Sequence, residues 1–224
     1  MKRLVLDFVE GNIPPKEFWD MCQEDERIFD WIQSVVPKDK ICYKNTPYVE
    51  YTEDGICLNK IKSEIIPYDI RIVIKQSCNY SSTMLGKLLN FHGIISRLMK
   101  EVFPNENFIV SQELSNKFMF MLDACPRYIG GYEVDCSGIL EELLDTVPEG
   151  LSMKQKINWY RSQVKEMFHI TSNYYPRWIQ EADWPMNNNR PMRFVSQNKA
   201  PGEGNYYIFE DVETGERRTV FQCT

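Results

Sequence analysis

Apolar residues over the first 170 positions recur at the three- and four-residue spacing of helices that bury one face. This spacing predicts helices at about 4–9, 15–22, 28–36, 81–103, 114–125, 139–147 and 153–168. Residues that end helices agree with these limits, because Gly11, Pro37 and Pro126 each come directly after a run of apolar residues at helical spacing. Ser152 and Gln155 have the spacing of a capping box at the start of the last helix.

The pattern is weaker between Asp39 and Cys78. Residues 48–58 read as extended chain around Asp54 and Gly55. Residues 68–76 fit a strand by alternation and a helix by length, and we interpret them as a helix.

After Ile170 the helical period stops. Residues 174–197, here called the strap, hold two of the five Trp residues of the chain, together with three Pro and two Met. A segment of this kind must be held by packing rather than by regular hydrogen bonds, so we expect its large side chains to be buried anchors. If exposed, they would instead form a binding surface. The expected anchors are Trp178, Trp184, Pro185, Met192 and Phe194.

Alternation of β-branched and aromatic residues predicts strands near 191–197, 205–212 and 217–223, with a turn at Gly215. A three-stranded antiparallel sheet needs a surface to pack on. We therefore predict an α+β fold: a mostly helical body over residues 1–173, with the strap and a small C-terminal sheet over 174–224 packed on it as one compact domain.

The net charge of −6 and the pI near 5.1 argue against nucleic acid and favour a basic macromolecule as partner. Acidic runs are most often solvated surface, but they can also attract a basic protein. Three groups are candidate contacts: Glu24, Asp25 and Glu26; Glu141, Glu142 and Asp145; and Glu181 with Asp183.

The sequence contains no arrangement that indicates catalysis. His92 lies on an apolar helix face, and His169 lies at a helix end, where a cation is favourable without any catalytic role. Gly130 and Gly131 are not part of a phosphate-binding motif. The seven cysteines are odd in number, scattered and without a C-x-x-C pair, so we expect no metal, no cofactor and a reduced, cytoplasmic location. The N-terminus predicts neither a signal peptide nor a membrane span.

Two regions carry a resemblance: the opening LDFVEGNIPPKEFWDMCQEDERIFDWIQSVVP, and the strap with the YYIFEDVETGERRTVFQ that follows it. Together they resemble an uncharacterised bacterial family found among proteins assigned as immunity proteins of polymorphic or contact-dependent toxin systems. The strap's WP and PM-x-F-x-x-Q elements, ending at Gln197, are also similar over about a dozen residues to a second bacterial family linked to immunity genes. The resemblance supplies no catalytic residues.

The resemblance implies a non-catalytic protein that binds and neutralises a cognate toxin, expected to be basic and nuclease-like. Two alternatives stay open. One is a small-molecule hydrolase using Cys125 or His169, and the other is a structural or scaffolding subunit of an oligomer. The sequence leaves the oligomeric state undetermined.

Overall fold

The computed structural model describes residues 1–55, 57–77, 81–171, 173–200 and 202–223. Its fold is α+β, as predicted, with mostly helical segments and small antiparallel sheets, including one of three strands near the C-terminus. The helices are α1 (Lys2–Val9), α2 (Pro15–Glu24), α3 (Arg27–Val35), α4 (Ile70–Ser77), α5 (Met84–Val102), α6 (Gln112–Ala124), α7 (Tyr132–Ser137), α8 (Ile139–Asp145) and α9 (Met153–Met167). The strands are β1 (Ile41–Tyr51), β2 (Cys57–Pro67), β3 (Met186–Asn187), β4 (Arg190–Pro191), β5 (Arg193–Ala200), β6 (Gly204–Glu210) and β7 (Arg217–Cys223).

The chain divides into two compact units, each described by itself. The first contains Met1–Asn79 and Leu88–Ser115, and the second contains Tyr80–Lys87 and Asn116–Thr224. The sequence-based prediction of a single domain with a helical body ending at 173 stays a prediction. Within the second unit, the strap and the C-terminal strands accompany α7, α8 and α9.

An aromatic cluster lies in the core of the first unit. The rings of Phe8 and Phe18 stack with centroids 4.0 Å apart, and Phe91 packs against both. His92 is also buried, and its Nε2 lies 3.0 Å from the Val9 carbonyl oxygen. Burial lowers the pKa of His92, which favours the neutral imidazole. The apolar helix face on which the sequence placed His92 is therefore a core face.

A long hairpin in the first unit differs from the sequence-based picture. Strands β1 and β2 pair over eleven residues each, without a bulge, where only residues 48–58 were expected to be extended. The prediction was incomplete because neither face of most of this hairpin is buried in a core, so the alternation that identifies a half-buried strand is missing. The helix expected at 68–76 is confirmed as α4.

The C-terminal meander of the second unit is confirmed. Strands β5, β6 and β7 pair in sequence order, and β5 has a bulge between Phe194 and Ser196. A tight turn joins β3 and β4, where Asn188 and Asn189 both have positive φ. Asparagine tolerates this left-handed conformation better than most residues. The capping box of Ser152 and Gln155 is present at the start of α9.

The strap is anchored mainly by buried side chains. Trp184 is fully buried, donates from Nε1 to the Met192 carbonyl oxygen at 2.8 Å, and packs edge-on against Phe168 of the helical region. Pro185, Met192 and Phe194 are buried as well. Trp178 is half-buried; its Nε1 donates to the Tyr128 carbonyl oxygen at 3.0 Å and its ring lies 4.5 Å from that of Tyr207.

In the part of the chain that the structure describes, no helix combines the length and the apolar character needed to span a membrane.

Truncating the Trp184 side chain should remove the largest buried group of the strap. We expect Trp184→Ala to lower the free energy of unfolding by about 3–5 kcal/mol, because the cavity cannot fill completely. Urea denaturation followed by circular dichroism measures this change. Tyr132→Ala serves as the control, since that ring is 79% exposed and should cost little. Equal losses in both variants would contradict the anchoring role.

The β6–β7 turn predicts a pH-dependent stability. The Asp211 carboxylate accepts from the backbone N–H groups of Thr214 at 2.7 Å and Glu213 at 2.9 Å, and the first of these contributes most to holding its pKa below the usual range. The ionised group therefore stabilises the folded protein above its ordinary pKa of about 4, and this contribution is lost as the pH falls.

Asp211→Asn should accordingly lower the free energy of unfolding at neutral pH, with a difference from wild type that shrinks in acid. Chemical denaturation at a series of pH values measures this, with the exposed Glu149→Gln as control. A difference that stays constant with pH would show that the charge of Asp211 contributes nothing.

Candidate functional site

A cleft of about 480 Å³ lies in the second unit. Four segments form it: the residues at the start of α5, the turn that leads into α7, the strap, and the end of β7. Its lining residues are Ser82, Lys87, Gly131, Tyr132, Asp135, Gln180, Glu181, Ala182, Asp183, Phe221 and Gln222.

Two glycines allow the strap to approach the turn before α7. Gly131 has a φ of +117°, and a Cβ atom there would lie 2.8 Å from the Asp183 Cα. The neighbouring Gly130 accepts a hydrogen bond from the Trp184 backbone N–H at 2.9 Å. Gly130 and Gly131, which match no nucleotide-binding motif, thus let the backbone of the strap come close. Any side chain at 131 would push the strap away.

The buried side chain of Gln222 holds the strap along the cleft. Its Oε1 accepts from the backbone N–H groups of Ile179 and Gln180, both at 3.0 Å, and its Nε2 donates to the Glu181 carbonyl oxygen at 2.8 Å. The Tyr207 hydroxyl donates to the Arg177 carbonyl oxygen at 2.8 Å. These bonds take the place of the regular backbone hydrogen bonds that an irregular segment lacks. They also fix the backbone position of Glu181.

Negative charge predominates among the lining residues. Three carboxylates, those of Asp135, Glu181 and Asp183, face a single ammonium group, that of Lys87, which lies 3.3 Å from Glu181. Burial is the main cause that raises the pKa of Asp135, and Glu181 raises it further. The Met84 backbone N–H, 2.7 Å away, and Lys87 act in the opposite direction. Burial, followed by the charge of Glu133, also raises the pKa of Asp183.

Asp135 connects two of the acidic groups that the sequence singled out. It interacts electrostatically with Glu181 on the strap and with Glu141 on α8. Burial is the main cause that raises the pKa of Glu141, and the charges of Asp135, Asp145 and Glu142 add to it. Glu142 is exposed, and Asp145 lies 3.8 Å from the Lys117 ammonium. The carboxylates of the strap, α7 and α8 therefore form a local cluster of negative charge, with Lys87 placed next to Glu181 and Lys117 next to Asp145.

The third acidic group, Glu24 to Glu26, lies between α2 and α3 in the first unit. Glu24 and Glu26 are exposed, while Asp25 pairs with the Arg27 guanidinium at 2.8 Å. That hydrogen bond lowers the pKa of Asp25. Unlike Asp135, Asp25 already has a close cationic partner.

Two exposed aromatic rings border the acidic cleft, those of Tyr132 and Phe221. A guanidinium or ammonium group is attracted both to a carboxylate and to the face of an aromatic ring. Carboxylates next to exposed rings therefore suit a basic side chain of a partner.

Cys125 and His169, the residues of the hydrolase alternative, are not joined by a hydrogen bond in the described part of the chain. The Cys125 sulfur contacts the Pro126 carbonyl oxygen at 3.9 Å, and burial raises the pKa of its thiol to about 12. A thiol with such a pKa is protonated at neutral pH and is a poor nucleophile. No group of three or more His, Cys, Asp or Glu residues that could hold a metal ion occurs among the described residues.

Several residues of the cleft were not found from the sequence: Lys87, Tyr132, Asp135, Phe221 and Gln222. The short helix α7, which carries Tyr132 and Asp135, has too few apolar positions to show a period. The available signal was the acidic first turn that follows two glycines, which is typical of a helix start.

Removing the charge of Asp135 should stabilise the protein at neutral pH. A carboxyl group whose pKa is raised by folding costs the folded state nothing below its ordinary pKa of about 4, and destabilises it as the pH rises through the raised value. Asp135→Asn keeps an oxygen that can accept from the Met84 N–H, so it should unfold at higher urea than wild type at pH 7, with a smaller difference in acid. The exposed Glu142→Gln is the control. A less stable Asp135→Asn protein at pH 7 would contradict this view of the cleft.

Comparison with models of known protein families gave no match, and comparisons with curated proteins and with solved structures gave none that is significant.

Proposed function

We propose that this protein is a non-catalytic, cytoplasmic binding protein that neutralises a basic toxin domain, in the manner of an immunity protein, and that the cleft of the second unit is its contact site. The proposal rests on Asp135, Glu181 and Asp183, which line one cleft in which Lys87 is the one cationic side chain among the described lining residues. The family resemblance of the opening segment and the strap points in the same direction.

The electrostatics of the cleft favour a cationic partner over an anionic one. Asp135 is half-buried and ionises against the cost of that burial, so it gains from an added positive charge. A Lys or Arg of the partner supplies that charge, and the exposed Tyr132 and Phe221 rings offer it a surface to pack on. A nuclease domain suits this requirement because its own groove must be basic to bind phosphate.

The cleft is also held in place before any partner arrives. The bonds of Gln222 and the close approach at Gly131 fix the backbone of the strap, so this segment does not need to be ordered on binding. A preformed acidic surface raises the rate of association with a basic partner and makes that rate depend on salt.

The hydrolase alternative has less support. Burial raises the pKa of the Cys125 thiol, and among the described residues the sulfur contacts the Pro126 carbonyl oxygen rather than a base that could activate it.

Co-expression with the toxin domain encoded beside this gene tests the proposal. Wild-type protein should bind that domain and protect the host cell. The triple variant Asp135→Asn, Glu181→Gln, Asp183→Asn should associate roughly tenfold more slowly, with a weaker dependence on salt, because the charge that steers the encounter is gone.

A matched triple, Glu24→Gln, Asp25→Asn, Glu26→Gln, removes the same charge from the first unit. It should retain most of the association rate. Loss of association in this control alone would place the contact at the α2–α3 surface instead. A wild-type protein that neither binds the neighbouring toxin nor protects cells would overturn the immunity function.

A further inference from the structure

We infer that the exposed, uncharged face of the β1–β2 hairpin is a self-association surface that joins two copies of this chain. The inference stands apart from the proposed toxin contact, because it concerns the first unit and a surface of opposite chemical character. It rests on the register of the hairpin, on the exposure of its side chains and on the area they leave open.

The register separates the hairpin into two faces of different composition. Ile41 pairs with Pro67, and the pairs continue without interruption to Tyr51 and its partner at 57. Because side chains alternate between faces, the odd-numbered residues of both strands share one face. Its described members are Ile41, Tyr43, Asn45, Pro47, Val49, Tyr51, Asn59, Ile61, Ser63, Ile65 and Pro67.

None of these residues is charged, and all are exposed. The opposite face, by contrast, holds Lys44, Glu50, Lys60, Lys62 and Glu64. There Lys60 pairs with Glu50, and Lys62 pairs with Glu64 at 2.6 Å. The charged face is thus suited to water, and the uncharged face is left without a cover.

The uncovered area matches what a stable interface needs. Six large apolar side chains of this face, those of Ile41, Tyr43, Val49, Tyr51, Ile61 and Ile65, are between 49% and 70% exposed. At about 200 Å² for a large side chain, they leave roughly 700 Å² open, above the few hundred Å² usual for the largest patch of a monomer and close to the ~800 Å² per partner of a standard interface.

A two-stranded ribbon is also marginal in water unless a further layer covers it. Two such ribbons packed face to face supply that layer to each other, at the roughly 10 Å spacing of stacked sheets. The exposed face therefore has both the area and the structural need for a second layer.

The absence of charge on this face favours a second copy of the chain as the occupant. The chain carries a net charge of −6, so most contacts between two copies bring like charges together. The uncharged hairpin face avoids this repulsion. A basic partner would find no carboxylate on this face. An identical face offers the same mixture of Tyr rings and aliphatic methyl groups.

A two-fold axis across the strands near the Pro47 and Ile61 pair would set the root of one hairpin on the tip of the other. In that arrangement Tyr43 of each copy lies opposite Tyr51 of the other, and the two Ile61 side chains meet near the axis. Aliphatic and aromatic side chains then cover each other along a ribbon of about 35 Å.

Sedimentation velocity between about 1 and 100 µM tests the inference, since interfaces of this size associate in or below that range. Wild-type protein should sediment as a dimer in the upper part of the range. Ile61→Lys should weaken the dimer at least ~100-fold, because each copy would bury an unpaired ammonium group at the centre of the interface.

Leu58→Lys is the matched control. It also replaces an exposed aliphatic residue of β2 by lysine, but on the charged face and opposite Glu50. It should leave the dimer intact. A wild-type monomer at every concentration, a dimer that survives Ile61→Lys, or an equal loss in both variants would overturn the inference.

Hydrogen exchange of the wild-type protein keeps the test independent of any folding defect in the variants. The amides of β1 and β2 should be protected at high protein concentration and should lose that protection on dilution. Concentration-dependent protection confined to other elements would place the dimer contact elsewhere and overturn the assignment to this face.

Discussion

Residues 174–185 of the strap have no regular secondary structure, so their backbone groups depend on side chains from elsewhere in the second unit. Gln222, Tyr207 and Gln197 supply these partners: Gln222 binds three consecutive residues, Tyr207 binds the Arg177 carbonyl, and Gln197 accepts from the Arg177 N–H at 2.8 Å. Trp184 then closes the segment onto the core. The position of Glu181 and Asp183, and with it the shape of the acidic cleft, follows from this set of bonds.

Much of the fold could be predicted from the sequence because many of its helices and strands bury one face and expose the other. Helices such as α3 and α5 bury one face, and the apolar stripe is visible directly. The meander was visible for the same reason, since β6 alternates between the buried Tyr207 and Phe209 and less buried neighbours. The strap was recognisable as a packed segment because two Trp residues in an irregular stretch rarely stay in water.

The remainder depends on tertiary structure or on surfaces without a local period. Beyond the extended chain expected at 48–58, the β1–β2 hairpin was missed because its two faces are both largely exposed. The acidic runs were found in the sequence, but their separation along the chain hid that Asp135 connects Glu141 with Glu181. A sequence shows charges, and only the fold shows which of them lack a counterion. The pairing of Asp25 with Arg27 and of Glu181 with Lys87, for example, is not visible in the sequence.

The charged cleft suits a basic partner, and the uncharged hairpin face separately suits a second copy of the chain. A cationic side chain in the cleft would lie close to the Asp135 carboxylate. The most direct test is the pKa of the Asp135 carboxyl group, measured by carbon-detected NMR with and without the toxin domain. We expect the Asp135 pKa to lie above the ordinary value in the free protein and to fall below it in the complex, since a bound cation favours the ionised form. An Asp135 pKa that does not change when the toxin binds would contradict a cationic contact in this cleft.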